Sequence, residues 1–406
     1  DLNKRISKSV NSRMIADVPV GAFLSSGIDS TTIAYHMQKI SRNNIKTFSI
    51  GNDGPNNEAK SAAEISKFLG TDHTELYIND ENVISELINI SNIYDEPFSD
   101  VSQIPTLLVS SLARKEVKVA LSGDGGDELF GGYRRHVFGS KLWKLRSYLP
   151  VSMIKNIMGS SLFNYRKNYL SEDIFSKFSV MKNKIIDNLE KSFSIINSEN
   201  RINLYDYIRS NWEDPSFLLT HNIKSPPLFF DQQFSFLEMM MYWDLNDYLS
   251  DGLMTKVDRA SMSQSLEVRC PFLDHNFIEY AWSIPSKYKV KGNTGKWILR
   301  KALYEKVPKK LLSKSKQGFE IPLGSLLRGP LKDWAESLLD EIPKAQQGDQ
   351  YFLYNLITQY VQDYKQSKKD LLDLIKRNLK QIKVENLNDE DKAWYYYFRA
   401  TQELIK

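Results

Sequence analysis

The 406-residue sequence predicts an α/β fold: a parallel, twisted sheet flanked by helices, continued by a mostly helical C-terminal part. Two observations carry this expectation. Short β-branched and aromatic runs alternate with helical segments over the first third of the chain, the pattern of βαβ units around a parallel sheet. Small-residue loops directly follow two of the apolar runs, and in such sheets ligands sit beyond the carboxyl ends of the strands.

Taken in order, residues 1–16 read as a Lys-rich helix leading to Pro19 and a first strand, VGAFL. After a short loop, a helix runs through Ile33, Ala34, His36 and Met37. Residues 46–50 (KTFSI) form a second strand ending at Gly51, and residues 57–69 (NEAKSAAEISKFL) form a helix. Gly70 suits the position just past that helix, where a left-handed residue closes the last turn. Residues 74–78 (TELYI) make a third strand, followed by a helix over 80–93. An acidic turn, YDEPFSD at 94–100, precedes a helix over 103–115, and VKVAL at 117–121 is a buried strand. Residues 140–235 hold helical, aromatic and basic pieces, which read as amphipathic helices covering a core.

Composition excludes several classes. The net charge is only +4, with 54 basic against 50 acidic residues, and these are interleaved, so no nucleic-acid partner is expected. The single cysteine, Cys270, rules out an internal disulfide framework and a Cys-rich zinc site and suits a reducing compartment. There is no apolar segment of the signal-peptide kind and no run of about 18 apolar residues. The resulting expectation is a soluble cytoplasmic protein with no membrane partner.

The loop after the first strand is Ser25-Ser26-Gly27-Ile28-Asp29-Ser30. Ser and Gly leave backbone N–H groups unobstructed, and the following helix points its positive end at them, which makes a site for a phosphate chain. The alternative is a strand-to-helix turn capped by Ser25 or Ser30. The loop has neither the lysine nor the spacing of the Walker pattern. SSGIDS resembles the pyrophosphate-binding SGGxDS loop of the ATP pyrophosphatase superfamily, of the adenine nucleotide alpha hydrolase type, with Ser26 in place of the first Gly. The second loop, after VKVAL, is SGDGGDELFGGY (122–133), with three acids among five glycines. Glycines allow close approach to a ligand, and unpaired carboxylates in apolar surroundings are unfavourable unless they hold a cation or donors. Magnesium fits, since it favours a few carboxylates together with nucleotide phosphates. The alternative is a surface turn.

The two loops together resemble the synthetase domain of the glutamine-dependent asparagine synthetases and their relatives, the β-lactam synthetases and lasso-peptide cyclases. Further along, residues 236–275 (FLEMMMYWDLNDYLSDGLMTKVDRASMSQSLEVRCPFLDH) resemble the helical half of that family. Their dense charges, Lys256, Asp258, Arg259, Glu267, Arg269 and Asp274, read as a buried ion-pair network fixing helix positions; direct substrate contact is the alternative. Residues 296–303 (KWILRKAL) read as a basic helix. The loop KSKQGFEIP (314–322) resembles the family's Lys-x-Gly-Phe-x-x-Pro loop, with Lys314 where Arg is frequent. The last 75 residues read as packing. The resemblance covers about residues 15–135 and 235–330.

What the resemblance implies is specific. The chain would divide into a nucleotide-binding core (1–140), a helical insertion (141–235), a helical part completing the active site (236–330) and a C-terminal helical packing region (331–406). ATP and Mg2+ would be the cofactors. Ser25, Ser26, Gly27 and Ser30 would hold the pyrophosphate half of ATP, with Asp29 and Asp127 on magnesium. Phe23, Leu24 and Ile50, with Ser122 and Gly123, would line the adenosine pocket. Lys316 would stabilise charge at the α phosphate, while Asp124 and Tyr133 would lie near the carboxylic substrate. Aspartate would be adenylated and then attacked by ammonia, supplied from glutamine by a glutaminase domain whose nucleophilic cysteine this chain lacks: it starts at Asp1, and Cys270 lies within the synthetase part. A homodimer is compatible with this reading. The alternatives are another adenylating amide-forming enzyme acting on a different acid, and a non-catalytic binding protein of the same fold.

Overall fold

The computed structural model describes residues 1–52, 58–94, 98, 100–148, 198, 200–209, 231, 233–312, 326 and 328–334. The loop 314–322 with Lys316, most of the acidic turn and the aromatic C-terminal segment lie outside these residues. The chain divides into two compact units, residues 1–133 with 241–326, and residues 134–240 with 327–406.

In the first unit, helix α1 (Leu2–Arg13) precedes strand β1 (Val20–Phe23), α2 (Ile28–Ile40), β2 (Lys46–Asn52), α3 (Glu58–Leu69) and β3 (Asp72–Ile78). Then come α4 (Asp80–Ile93), α5 (Gln103–Arg114), β4 (Val119–Leu121) and the single-turn α6 (Gly126–Phe130). Two of the boundaries show a local cause. Gly70, at φ +73, closes α3 with its N–H and that of Thr71 both on the Ser66 carbonyl, an arrangement that suits a residue without Cβ. Asn79 starts α4 through reciprocal side-chain bonds with the Asn82 backbone and back, the capping-box arrangement.

Among the described residues the sheet has five strands, all parallel, in the order β3-β2-β1-β4-β5, where β5 is Glu267–Arg269. From β1 the chain builds outward through β2 to β3, then returns to place β4 on the other side. The boundary between β1 and β4 is therefore the switch point of the sheet, and the crevice beyond their carboxyl ends is where a ligand enters an open α/β fold. The loops SSGIDS and SGDGGDE leave those two strand ends.

The return of the chain from residue 241 completes this unit. The end of α9 (Phe236–Trp243) runs into an 11-residue π-helix, Asp244–Met254, and then α10 (Thr255–Ser263). Strand β5, α11 (His275–Ser283), α12 (Ser286–Lys289) and α13 (Trp297–Tyr304) follow. α10 packs on α5, α13 on α2, and α1 on α2. The core joins Ile33 and Met37 of α2, Val119 and Leu121 of β4, Phe130, Phe272, Phe277, Leu299 and Leu303. Phe130, Phe272 and Phe277 meet with ring centroids 5.5–6.2 Å apart; aromatic pairs at this range add to the stability that burial supplies. This cluster lies directly beneath α6, so the second loop rests on packed rings.

The expected ion-pair network within residues 236–275 takes a different form. Lys256, buried, reaches Asp100 at 3.0 Å and the Ser102 hydroxyl at 2.7 Å. Asp274 is held by Arg13 at 3.0 Å and caps α11 by accepting from Phe277 N–H. Arg269 pairs with Glu267 at 2.7 Å on the outer edge of β5 and donates to the carbonyls of Arg13 and Ile15. The charges thus tie their segment to α1 and to the start of α5, because a charge on a helix that packs elsewhere finds its opposite on the element it packs against.

In the second unit, α7 (Arg134–Tyr148), α8 (Arg201–Arg209) and the start of α9 come together. Tyr205 accepts from Arg135 Nε at 3.0 Å and stands edge-on to Phe236, which also meets Trp143. No helix among the described residues is long and apolar enough to cross a membrane.

Candidate functional site

The loop after β1 is latched by its own side chains. Ser30 Oγ accepts from Ser25 N–H at 3.1 Å and lies 2.8 Å from Ser25 Oγ, which accepts from Gly27 N–H at 3.1 Å. Gly27, rather than either serine, occupies the cap position of α2, and no side chain caps the helix. The positive end of α2 faces the crevice without a side-chain cap, an arrangement that suits an anion. Leu24 and Ile50 are buried in the core while Phe23 is half-buried at the strand end.

The second loop is pressed against the first, glycine upon backbone. A Cβ at Gly123 would stand 2.7 Å from Ser30 N and 2.8 Å from Asp29 C, closer than real Cβ atoms approach. Gly125 adopts φ +91, a left-handed conformation that favours glycine. Ser122 N–H donates to the Arg269 carbonyl at 2.9 Å, which ties the loop to β5, and Ser122 Oγ donates to Asp124 and accepts from Asp124 N–H at 3.2 Å. Cys270 Sγ lies 3.7 Å from Ser122 Oγ. Burial, with the Asp124 charge, pushes its thiol up to about 12, so it is inert as a nucleophile.

The two carboxylates marked by the sequence, Asp29 and Asp127, converge on one ammonium. Lys296 Nζ makes an ion pair with Asp29 and another with Asp127 Oδ1 at 2.5 Å, and the three side chains are only 5–14% exposed. Sequence reasoning missed Lys296, which it took as the first residue of a basic helix. In the structure Lys296 precedes α13 with φ +54, its N–H on the Phe130 carbonyl at 3.0 Å. Only lysine's chemistry could have marked it, since left-handed backbone is ordinarily signalled by Gly or Asn.

Next to this triad, Tyr133 donates its hydroxyl to Glu128 Oε1. Glu128 is buried, and its Oε2 has no hydrogen-bond partner among the described residues. Burial, reinforced by the Asp127 charge, raises its carboxyl to about 7. The π-helix sets Tyr248 edge-on to Tyr133, centroids 5.7 Å apart; π-helical turns are frequent at functional sites.

Whether these residues suit a divalent cation can be judged from the triad itself. Two carboxylates from separate loops already close on one cation, the Lys296 ammonium, so their directions suit a shared positive charge. No group of three or more His, Cys, Asp or Glu among the described residues could hold a metal by itself. A pair of carboxylates completed by phosphate oxygens is the donor set magnesium takes in nucleotide sites, and the residues fit that ion.

A five-stranded parallel sheet with paired glycine and serine loops at its switch point defines an α/β protein of the ATP pyrophosphatase-like fold. The family model for asparagine synthase matches residues 1–384. The chain belongs to that family. It is 29% identical over 381 residues to asparagine synthetase [glutamine-hydrolyzing] 1 of Bacillus subtilis, covering 91% of this chain and 56% of the relative. It is 32% identical over 336 residues to a putative asparagine synthetase [glutamine-hydrolyzing] of Mycobacterium bovis, with 81% and 49% covered. A similarly named protein of Methanocaldococcus jannaschii is 34% identical over 264 residues, with 64% and 48% covered. The chain spans about half the length of the curated relatives it matches.

Proposed function

We propose that this chain is the ATP-dependent synthetase part of an asparagine synthetase. The β-carboxylate of L-aspartate attacks the α phosphate of ATP, giving β-aspartyl-AMP and pyrophosphate; ammonia then displaces AMP to give asparagine. The observation that carries the reading is the convergence of Asp29 and Asp127 at the mouth of the sheet, beside a loop latched open by Ser25 and Ser30.

Each residue then has a task. Ser25, Ser26, Gly27 and Ser30 cradle the pyrophosphate with the first N–H groups of α2. Phe23, Leu24 and Ile50, with Ser122 and Gly123, border the adenosine. Asp29 and Asp127 would hold Mg2+, which would supply positive charge to the phosphate chain. Lys316 meets the charge that grows on the α phosphate during attack; it is assigned from the family's loop pattern. Asp124 and Tyr133 border the acid and its adenylate. The ammonia comes from a glutaminase domain, in keeping with the relatives named glutamine-hydrolyzing, and the cytoplasm is the fitting compartment.

The test is pyrophosphate release from Mg-ATP with and without aspartate and ammonium, using this chain, Lys316→Ala and Asp127→Ala. Stimulation by aspartate that both variants abolish supports the reading. ATP binding without any response to aspartate would remove aspartate as the substrate and direct the assay to other carboxylic acids.

A further inference from the structure

We propose that Lys296 makes metal binding conditional on nucleotide: its ammonium sits where Asp29 and Asp127 would hold the divalent ion, and excludes a free cation until phosphate draws the lysine away. The inference rests on the reading of Asp29 and Asp127 as the magnesium carboxylates.

The placement is built rather than incidental. The Lys296 backbone is pinned by the Phe130 carbonyl and held in a left-handed conformation, which residues with a Cβ rarely adopt. Gly295 lies backbone to backbone on Gly131, where a Cβ would sit 3.2 Å from Gly132 Cα and closer still to the Gly131 carbonyl. The side chain then passes Gly132, where a Cβ would overlap its Cε and crowd Asp127 Cγ at 2.9 Å. Two loops of glycine thus feed one lysine to one point.

Charge arithmetic gives the consequence. Both carboxylates share the one Lys296 ammonium, and all three groups are largely shielded from water. A bare divalent ion entering the same point meets an ammonium at contact range, in a poorly solvated pocket that screens the repulsion little. It must expel Lys296 from both of its partners with no anion to receive the displaced charge. A cation that arrives with a polyphosphate brings that anion. Lys296 moves from carboxylate to phosphate, and the carboxylates turn to the metal. The residue therefore selects the metal–nucleotide complex over the metal alone, and keeps the two carboxylates balanced while the site waits.

The probe is Mn2+, read by electron paramagnetic resonance on the 406-residue chain, without nucleotide and with a non-hydrolysable ATP analogue. The wild type takes up Mn2+ weakly alone and well with the analogue; Lys296→Met binds Mn2+ alone about tenfold tighter or more, the range of ordinary site-to-site coupling. Lys296→Met removes the ammonium that both carboxylates share, so its melting temperature is followed as well, and it rises with Mn2+ whereas the wild type's does not. The Lys296→Met/Asp29→Asn double variant, with one carboxylate left, loses the gain in affinity. Equal affinity of wild type and Lys296→Met for free Mn2+ overturns the proposal, as does a wild type that binds Mn2+ equally well without the analogue. Failure of every form to bind Mn2+ even with the analogue instead removes the metal role of Asp29 and Asp127.

Discussion

Gly132 owes its identity to Lys296: the lysine side chain runs through the volume a Cβ at position 132 would fill. Gly132→Ala must displace either the lysine or the loop that carries Asp127. We expect a stability loss of about 1–3 kcal/mol, as for other overpacked sites. Pyrophosphate release is expected to fall further than that loss accounts for. Calorimetry alongside the release assay separates the two; a variant of wild-type activity would show that the triad tolerates movement.

Gly123 holds the two loops at contact distance. Alanine there pushes Ser30 and Asp29 away from SGDGGDE, and displacements near 1 Å can change rates about a hundredfold. ATP titrated into Gly123→Ala by calorimetry is expected to bind at least about tenfold more weakly, while circular dichroism stays that of the wild type.

Lys256 and Asp100 form a shielded pair that joins α10 to the start of α5. Burial alone would raise the Asp100 carboxyl, but the Lys256 charge and hydrogen bonds from Ser102 and Lys256 outweigh it and hold it below the usual carboxylate range. Lys256→Met removes the lysine partner of a shielded carboxylate that keeps its hydrogen bonds from Ser102, a loss of about 3 kcal/mol or less. Adding Asp100→Asn is expected to restore part of that stability, since the charge that lost its lysine is gone. Urea denaturation of the two variants measures the difference, and no recovery in the double variant would mean that the pair's hydrogen bonds outweigh its charge.

His36 is buried between α1 and α2, with Ser7 Oγ 2.7 Å from its Nδ1. Burial, followed by the Lys39 and Lys306 charges, lowers its pKa from 6.5 to about 4. Between those values the unfolded chain takes up a proton that the folded chain refuses, so stability falls as pH drops from 6.5 towards 4 and levels off below. The contribution approaches about 3 kcal/mol. His36→Gln, which cannot titrate, is expected to flatten this part of the stability curve; an unchanged slope would assign it to other groups.

The legible parts of the fold were those with local causes. β1 and β2 announce themselves by apolar and β-branched runs, Gly70 by its place after a helix, and the two loops by serine and glycine beyond strand ends. β5 did not: its three residues, Glu267–Arg269, are mostly polar and partly exposed. They become a strand only by pairing with β4 about 150 positions upstream, as in Val119↔Glu267. The π-helix was equally hidden, because its sequence has ordinary helical character and its wider turns are set by what it packs against. In the site, Asp29 and Asp127 could be singled out by the family resemblance of their two loops. Lys296 could not, since its role depends on a backbone turn that lysine does not advertise and on glycines 131 and 132 from another loop.

The spread of the triad along the chain bears on how the protein is made. Asp29 and Lys296 are 267 positions apart, so a ribosome releases both carboxylates long before their counter-ion. Until then the nascent first unit lacks β5, and the second loop lacks the Arg269 carbonyl that ties it. Closure of the triad is therefore a late event in biosynthesis, which waits for the distant halves of this unit to meet.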